Sequence, residues 1–127
     1  MSSALTRGIR IEVEHRYLPE RSSPLDSRYL FAYQITISNE GDQPVQLLSR
    51  HWFIKDAFQR TEEVQGPGVV GQQPYLEPGE MFRYTSFCPL PTTHGEMHGT
   101  FEMTYDDGST FDAEIATFYL MVPGLMN

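Results

Sequence analysis

The chain has 127 residues, a single cysteine and a formal net charge of −8, with 39% apolar residues. That length fits one domain over residues 1–127, which buries roughly two-thirds of its unfolded surface and needs no metal or disulfide to fold. The charge disfavours nucleic-acid backbone and anionic lipid and suits cations or a basic protein partner.

The start, Met-Ser-Ser-Ala-Leu-Thr-Arg-Gly, has no apolar h-region and is read as lacking a secretory signal. The first strand expected is Gly8–Leu18, where Ile9, Ile11 and Val13 alternate with Arg10, Glu12 and Glu14. Arg21–Asp26 reads as a polar loop. Arg28–Asn39 puts Tyr29, Phe31, Tyr33, Ile35 and Ile37 on one face and is the clearest strand. Asn39-Glu40-Gly41-Asp42 is a turn.

Val45–Asp56 is the next strand. Its parity is ambiguous, because Leu47 and Leu48 are adjacent and Trp52-Phe53-Ile54 is continuous; Trp52 and Ile54 are taken as inward, with Trp52 as the large central plug. A short strand is expected over Gln59–Gln65. Leu76–Glu80 is a turn with Pro78 and Gly79 at its centre. Met81–Phe87 is a strand, broken by Pro89–Thr93. Gly95–Tyr105 and Thr110–Met121 form a hairpin about Asp106-Asp107-Gly108-Ser109. The apolar parity of the last strand shifts between Ile115 and Phe118, which predicts a bulge near Ala116-Thr117.

About seven short strands with Gly/Pro turns and no helical period imply an all-β, two-sheet antiparallel sandwich. The longest apolar runs fall far short of the ~20 residues of a membrane-spanning helix, so no membrane insertion is expected. Cys88 alone permits no internal disulfide and suits a reducing compartment; the chain is read as soluble and cytoplasmic.

One motif carries a functional suggestion. Gly66, Gly68 and Gly71 complete a Gly-x-Gly-x-x-Gly pattern. A dinucleotide site needs a helix to follow it, whose free N–H groups meet the pyrophosphate. Pro74 and Pro78 forbid that helix, and no Gly-Lys-Ser/Thr completes a Walker loop. The simpler reading is a connection crossing from one sheet to the other, with glycines at positive φ. The alternative is an anion nest of successive N–H groups, to which Arg50, Arg60 or Arg83 could add charge.

Val45–Trp52, Val64–Pro74, Leu76–Glu80, Tyr84-Thr85-Ser86 and Gly95–Gly99 resemble the signature stretches of the bacterial ApaG family, over about Arg10 to Leu120. The resemblance implies a fibronectin type III/immunoglobulin-like sandwich. It brings a label connecting the family to cobalt resistance and magnesium efflux. It also brings a gene neighbour for a diadenosine tetraphosphate hydrolase, and use as a domain in some F-box proteins and a polymerase-interacting protein. One departure is Ala116, where the family pattern leads us to expect proline; it bears on the local bulge.

For metal, His94 and His98 lie four apart, which on a strand is about 13 Å, too far to share an ion. Asp106 and Asp107, with Asp112 and Glu114 across the hairpin, could attract hard cations, but a solvated turn explains them as well. Ser49, His51, Ser86 and Cys88 form no nucleophile elbow, so no catalytic residue and no cofactor is expected. The binding candidates are Gly66, Gly68, Gly71 and Gln72 of the glycine segment with Arg50, His51 and Tyr84, and Tyr75 and Phe87 lie near it in sequence. Aromatics beside arginine are enriched at protein interfaces. The expectation is a non-enzymatic domain that recognises a protein partner, with any effect on Co²⁺ or Mg²⁺ indirect. Phosphate-ligand binding or hydrolysis, and direct cation binding, stand as alternatives. Exposed edge strands offer a further surface for an added peptide strand or for weak pairing of two copies.

Overall fold

The computed structural model describes residues 1–124 and shows two antiparallel sheets packed as an open sandwich, with no α-helix among the described residues. The strands are β1 (Ser2–Thr6), β2 (Ile9–Tyr17), β3 (Tyr29–Asn39), β4 (Val45–Asp56), β5 (Thr61–Pro67), β6 (Tyr75–Leu76), β7 (Met81–Leu90), β8 (His94–Tyr105) and β9 (Thr110–Met121). One sheet runs β1-β2-β3-β7. The other runs β5-β4-β8-β9, and β6 pairs with the beginning of β4. The expected polar loop after β2 contains two single-turn 3₁₀ segments, Pro19–Arg21 and Pro24–Asp26.

Alternation builds the core. Ile9, Ile11 and Val13 of β2 and Phe31, Tyr33, Ile35 and Ile37 of β3 are buried together with Trp52, Phe101, Met103, Ile115 and Leu120 of the second sheet. Trp52 is the plug the sequence suggests. It is 3% exposed and meets Tyr33, Phe101 and Phe118 at centroid distances of 5.5, 6.3 and 6.0 Å. Ile54 lies on the same side but is only partly buried, near the end of the strand.

Both parity breaks in the sequence are bulges. Leu47 pairs with Met103 and Ser49 with Glu102, so Leu48 is an inserted residue. Met97 pairs with Phe118 and Gly99 with Ile115, so Ala116 and Thr117 face the single residue His98, as the sequence predicts. The turn at Glu77–Glu80 is also as expected, with Gly79 at φ 90° and the Glu80 N–H donating to the Glu77 carbonyl at 2.9 Å.

Three features differ from expectation. β1 precedes the first strand expected from the sequence; its register with β2 runs through a two-residue turn in which Arg7 and Gly8 have φ 48° and 81°. Its other flank faces β9, whose Glu114 N–H donates to Thr6 Oγ1 at 3.1 Å. The strand ending at Phe87 continues through Leu90, because Pro89 lies on β7, a strand paired only with β3, where a missing N–H is tolerated. The glycine segment does not cross between sheets. β5 pairs with β4 from Lys55 to Ser49 and β6 resumes pairing at Gln46 and Val45, so the segment is an excursion within one interrupted edge strand. The crossing comes after Leu76.

Gly99 lies directly opposite Trp52, and a Cβ there would overlap the His51 carbonyl oxygen. Gly99→Ala is expected to cost roughly 3 kcal/mol or more, read as a lower urea midpoint or loss of soluble protein. Gly108→Ala, at φ 87° with open space around it, should cost only about 1 kcal/mol.

His15 is half-buried and stacks on Phe118 at 5.6 Å. Burial, with a smaller contribution from the N-terminal charge, lowers its affinity for protons. The unfolded chain therefore takes up this proton first. The associated stability is present above the ordinary histidine pKa of about 6.5 and is lost as pH falls through it. Urea midpoints should drop between about pH 7.5 and pH 5, and the drop should shrink in His15→Phe.

Candidate functional site

The glycine excursion is built on the bulge of β4. Opposite Gly66, the Arg50 guanidinium lies so close that a Cβ on Gly66 would stand 3.0–3.2 Å from it. Arg50 Nη1 donates to the carbonyls of Pro67 and Gly68 at 2.9 and 3.0 Å. The Gly68 N–H donates to the Leu48 carbonyl at 2.8 Å, and Gln73 Nε2 donates to the same oxygen at 2.9 Å. On the return side, the Leu47 N–H bonds the Pro74 carbonyl at 3.0 Å and Gln46 Nε2 the Gln73 carbonyl at 3.0 Å. The inserted residue thus frees a carbonyl that anchors both ends of the loop.

The tip is a miniature hairpin. Val69 and Gln72 exchange backbone hydrogen bonds at 2.8 and 2.9 Å, and the two residues between them, Val70 and Gly71, have φ 43° and 79°. That is the mirror-image turn, which asparagine and glycine favour. Val69 is fully buried in the main core, whereas Val70 is 55% exposed. A β-branched residue at positive φ is strained, and such strain persists only where the surroundings over-determine it.

Each glycine has its own reason. Gly66 makes room for Arg50. Gly68, at φ 63°, could carry no Cβ, because one would lie 2.5 Å from the Gln72 carbonyl oxygen. Gly71 supplies the second positive φ and has open space around it. The N–H groups of Gly68, Val69 and Gln72 are all spent on carbonyls, and Arg50 is turned onto carbonyls as well. Arg60 is elsewhere, paired with Asp56 at 3.0 Å beyond the other end of β5, and Arg83 Nε donates to Thr36 in the opposite sheet.

The remaining candidates separate. Tyr84 is core, 8% exposed, with a buried hydroxyl lacking a hydrogen-bond partner and a proton held more tightly through burial. It therefore presents no binding surface. His51 points away from Arg50, on the outer face, with Nε2 3.0 Å from Glu63 and from the Gln65 side-chain amide. Of the seven binding candidates, only Gly71 and Gln72 are presented at the tip, and the residue that sequence reasoning missed there is Val70. Two adjacent valines give no signal of opposite fates; the turn geometry does.

His94 and His98 both lie on β8, and His98 stacks on Phe53 at 5.0 Å. Asp106 accepts from the Tyr75 hydroxyl at 3.0 Å. Asp107 accepts from the Ser109 hydroxyl and N–H, which hold its carboxyl below the usual range. Among the described residues no group of three His, Cys, Asp or Glu is placed to hold a metal ion. Ser49 donates to Glu102 at 3.1 Å rather than to His51, and burial pushes the Cys88 thiol up to about 12.

The ApaG-domain family model matches residues 19–105. The chain is 57% identical over 127 residues to Protein ApaG of Anaeromyxobacter dehalogenans strain 2CP-C, covering all of both chains. It is 54% identical over 123 residues to Protein ApaG of Methylobacterium sp. strain 4-46, covering 97% and 95%. A Bordetella pertussis protein whose crystal structure bears the name ApaA superposes with a TM-score of 0.88 at 49% identity, covering 91% of this chain and 94% of that one. The C-terminal domain of wzt shares the fold alone, with a TM-score of 0.57 at 11% identity over 98% of this chain and 79% of that one.

Val70→Asn removes the β-branch from the strained position and creates the Asn-Gly pair that the turn prefers. It should stabilise the protein by about 1 kcal/mol, measured as a raised urea midpoint with unchanged slope.

Proposed function

Taking as premise that the chain belongs to the ApaG-domain family, we propose that it is a non-enzymatic recognition domain that engages a protein partner through the Val69–Gln72 hairpin and the strand surface beside it. The observation that carries this reading is Val70. An exposed apolar side chain is held at φ 43° on a tip tied to β4 by backbone and side-chain hydrogen bonds. Strain of that kind costs roughly 1–3 kcal/mol and clusters at functional sites. A rigid apolar tip also meets a partner with little ordering cost. An effect on cobalt or magnesium would then pass through the partner. The lone buried thiol suits action in the cytoplasm. β7 and the interrupted β5–β6 edge each have a neighbour on one side only, so an added strand from a partner or a second copy would pair there.

Phosphate recognition by the same segment has weaker support, since three N–H groups of the loop already have carbonyl partners.

The test exploits the opposed effects of one substitution. A photo-crosslinker at Gln72 should capture a discrete partner from the wild-type background. In Val70→Asn the capture should fall at least about tenfold although the protein is more stable. Undiminished capture by Val70→Asn removes the tip from recognition. Titration with pyrophosphate and dinucleoside polyphosphates should leave the amide shifts of residues 66–73 unmoved; saturable shifts there would replace the protein-partner reading with the phosphate one.

A further inference from the structure

The outer face of the five-stranded sheet has a distinct chemistry. Register places Glu63, Phe53 and His98 in one row, Gln65, His51, Thr100 and Glu114 in the next, and Ser49, Glu102 and Asp112 in a third. On the other side of the Phe53 row lie Lys55, Glu96 and Tyr119. Three rings form a continuous contact across two strands: His51 lies tilted against Phe53 at 4.4 Å and 32°, and Phe53 stacks on His98 at 5.0 Å and 12°. Beside them Tyr119 is 65% exposed and makes no ring contact among the described residues. The charge is one-sided. Glu63, Glu96, Glu102, Asp112 and Glu114 stand against Lys55, which is already 3.5 Å from Glu96. Neither Asp112 nor Glu114 has an ion-pair partner among the described residues.

We infer that this face docks an extended, arginine-rich segment of a protein partner. Guanidinium groups stack on aromatic faces and pair with carboxylates in the same contact, which lysine does less well. Arginines two apart on an extended chain repeat at the same interval as Asp112 and Glu114, since both are strand neighbours on one face. A like-charged face repels its own copy face to face. The opposite sheet of a second copy is a poor complement, because its outer face pairs Arg10 with Glu40 and carries Glu12 and Glu14 beside Arg16 and Arg83. The surface is separate from the hairpin tip and does not require the tip to bind anything.

The experiment titrates the labelled protein with a synthetic peptide alternating arginine and threonine, and with spermidine at equal charge, while following backbone amides. Saturable shifts at His51, Phe53, His98, Glu114 and Tyr119 are expected, with affinity that falls as salt rises. Tyr119→Ser and the pair Asp112→Asn with Glu114→Gln are exposed and leave the fold intact; each should weaken binding at least about tenfold. Equal binding of spermidine, or unchanged affinity in Tyr119→Ser, would reduce the effect to counterion attraction and overturn the inference. Shifts confined to residues 69–73 would overturn it too while supporting the hairpin reading. Concentration-dependent sedimentation of the free protein that Asp112→Asn with Glu114→Gln abolishes would assign the face to a second copy instead.

Discussion

The structure depends on one close approach. Trp52 fills the centre of the sandwich, and the residue opposite it on β8 is Gly99, whose missing side chain leaves room for the backbone of His51 and Trp52. A buried indole of this size contributes roughly 4–6 kcal/mol through the area it removes from water. It also fixes which side of β4 faces inward. Once Trp52 is in, Arg50 lies on its side of the strand and His51 and Phe53 lie outside. The bulge at Leu48 then reconciles that parity with the inward Val45 and Leu47. The hairpin is anchored to the carbonyl of that same bulge residue, so the candidate site depends on the core contact at one remove.

The fold was largely legible because period-2 burial writes itself into the sequence. Even the two register faults left traces, as Leu47-Leu48 and as the shift across Ala116-Thr117, where the absence of the expected proline did not prevent the bulge. What was not legible was held by neighbours rather than by pattern. Ser2–Thr6 has only Leu5 as a large apolar residue and becomes a strand because β2 offers an edge and β9 an N–H, that of Glu114, for the Thr6 hydroxyl to accept. Tyr75–Leu76 is too short to show any period. Tyr84 looked like an interface aromatic because sequence position near the glycines does not report which face of β7 it occupies.

The glycine motif shows the same limit more sharply. Its spacing is that of a phosphate loop, yet the three positions answer to three unrelated constraints: clearance for a guanidinium, clearance for a carbonyl, and a left-handed turn. Pro74 and Pro78 could rule out the helix. They could not reveal that three of the loop's N–H groups are already paired, nor that Arg50 serves the loop's own carbonyls. A motif is a statement about backbone, and the side chain that explains it here lies sixteen positions before the first glycine.

The tip and the outer face meet at Pro67. It is the residue of β5 opposite Ser49, in the row that carries Glu102 and Asp112, and it is also the first carbonyl held by Arg50. A partner segment that followed the acidic row across the sheet would therefore leave it at the base of the hairpin. On the proposed reading the two surfaces divide the work physically. Carboxylates on an open face attract at long range and tolerate sliding, because Coulomb attraction is soft and screened. A fixed apolar tip contributes only on contact and only in one register. A domain with both would capture basic partners broadly and retain those with a pocket for Val70, and selectivity would lie in the strained turn rather than in the charge.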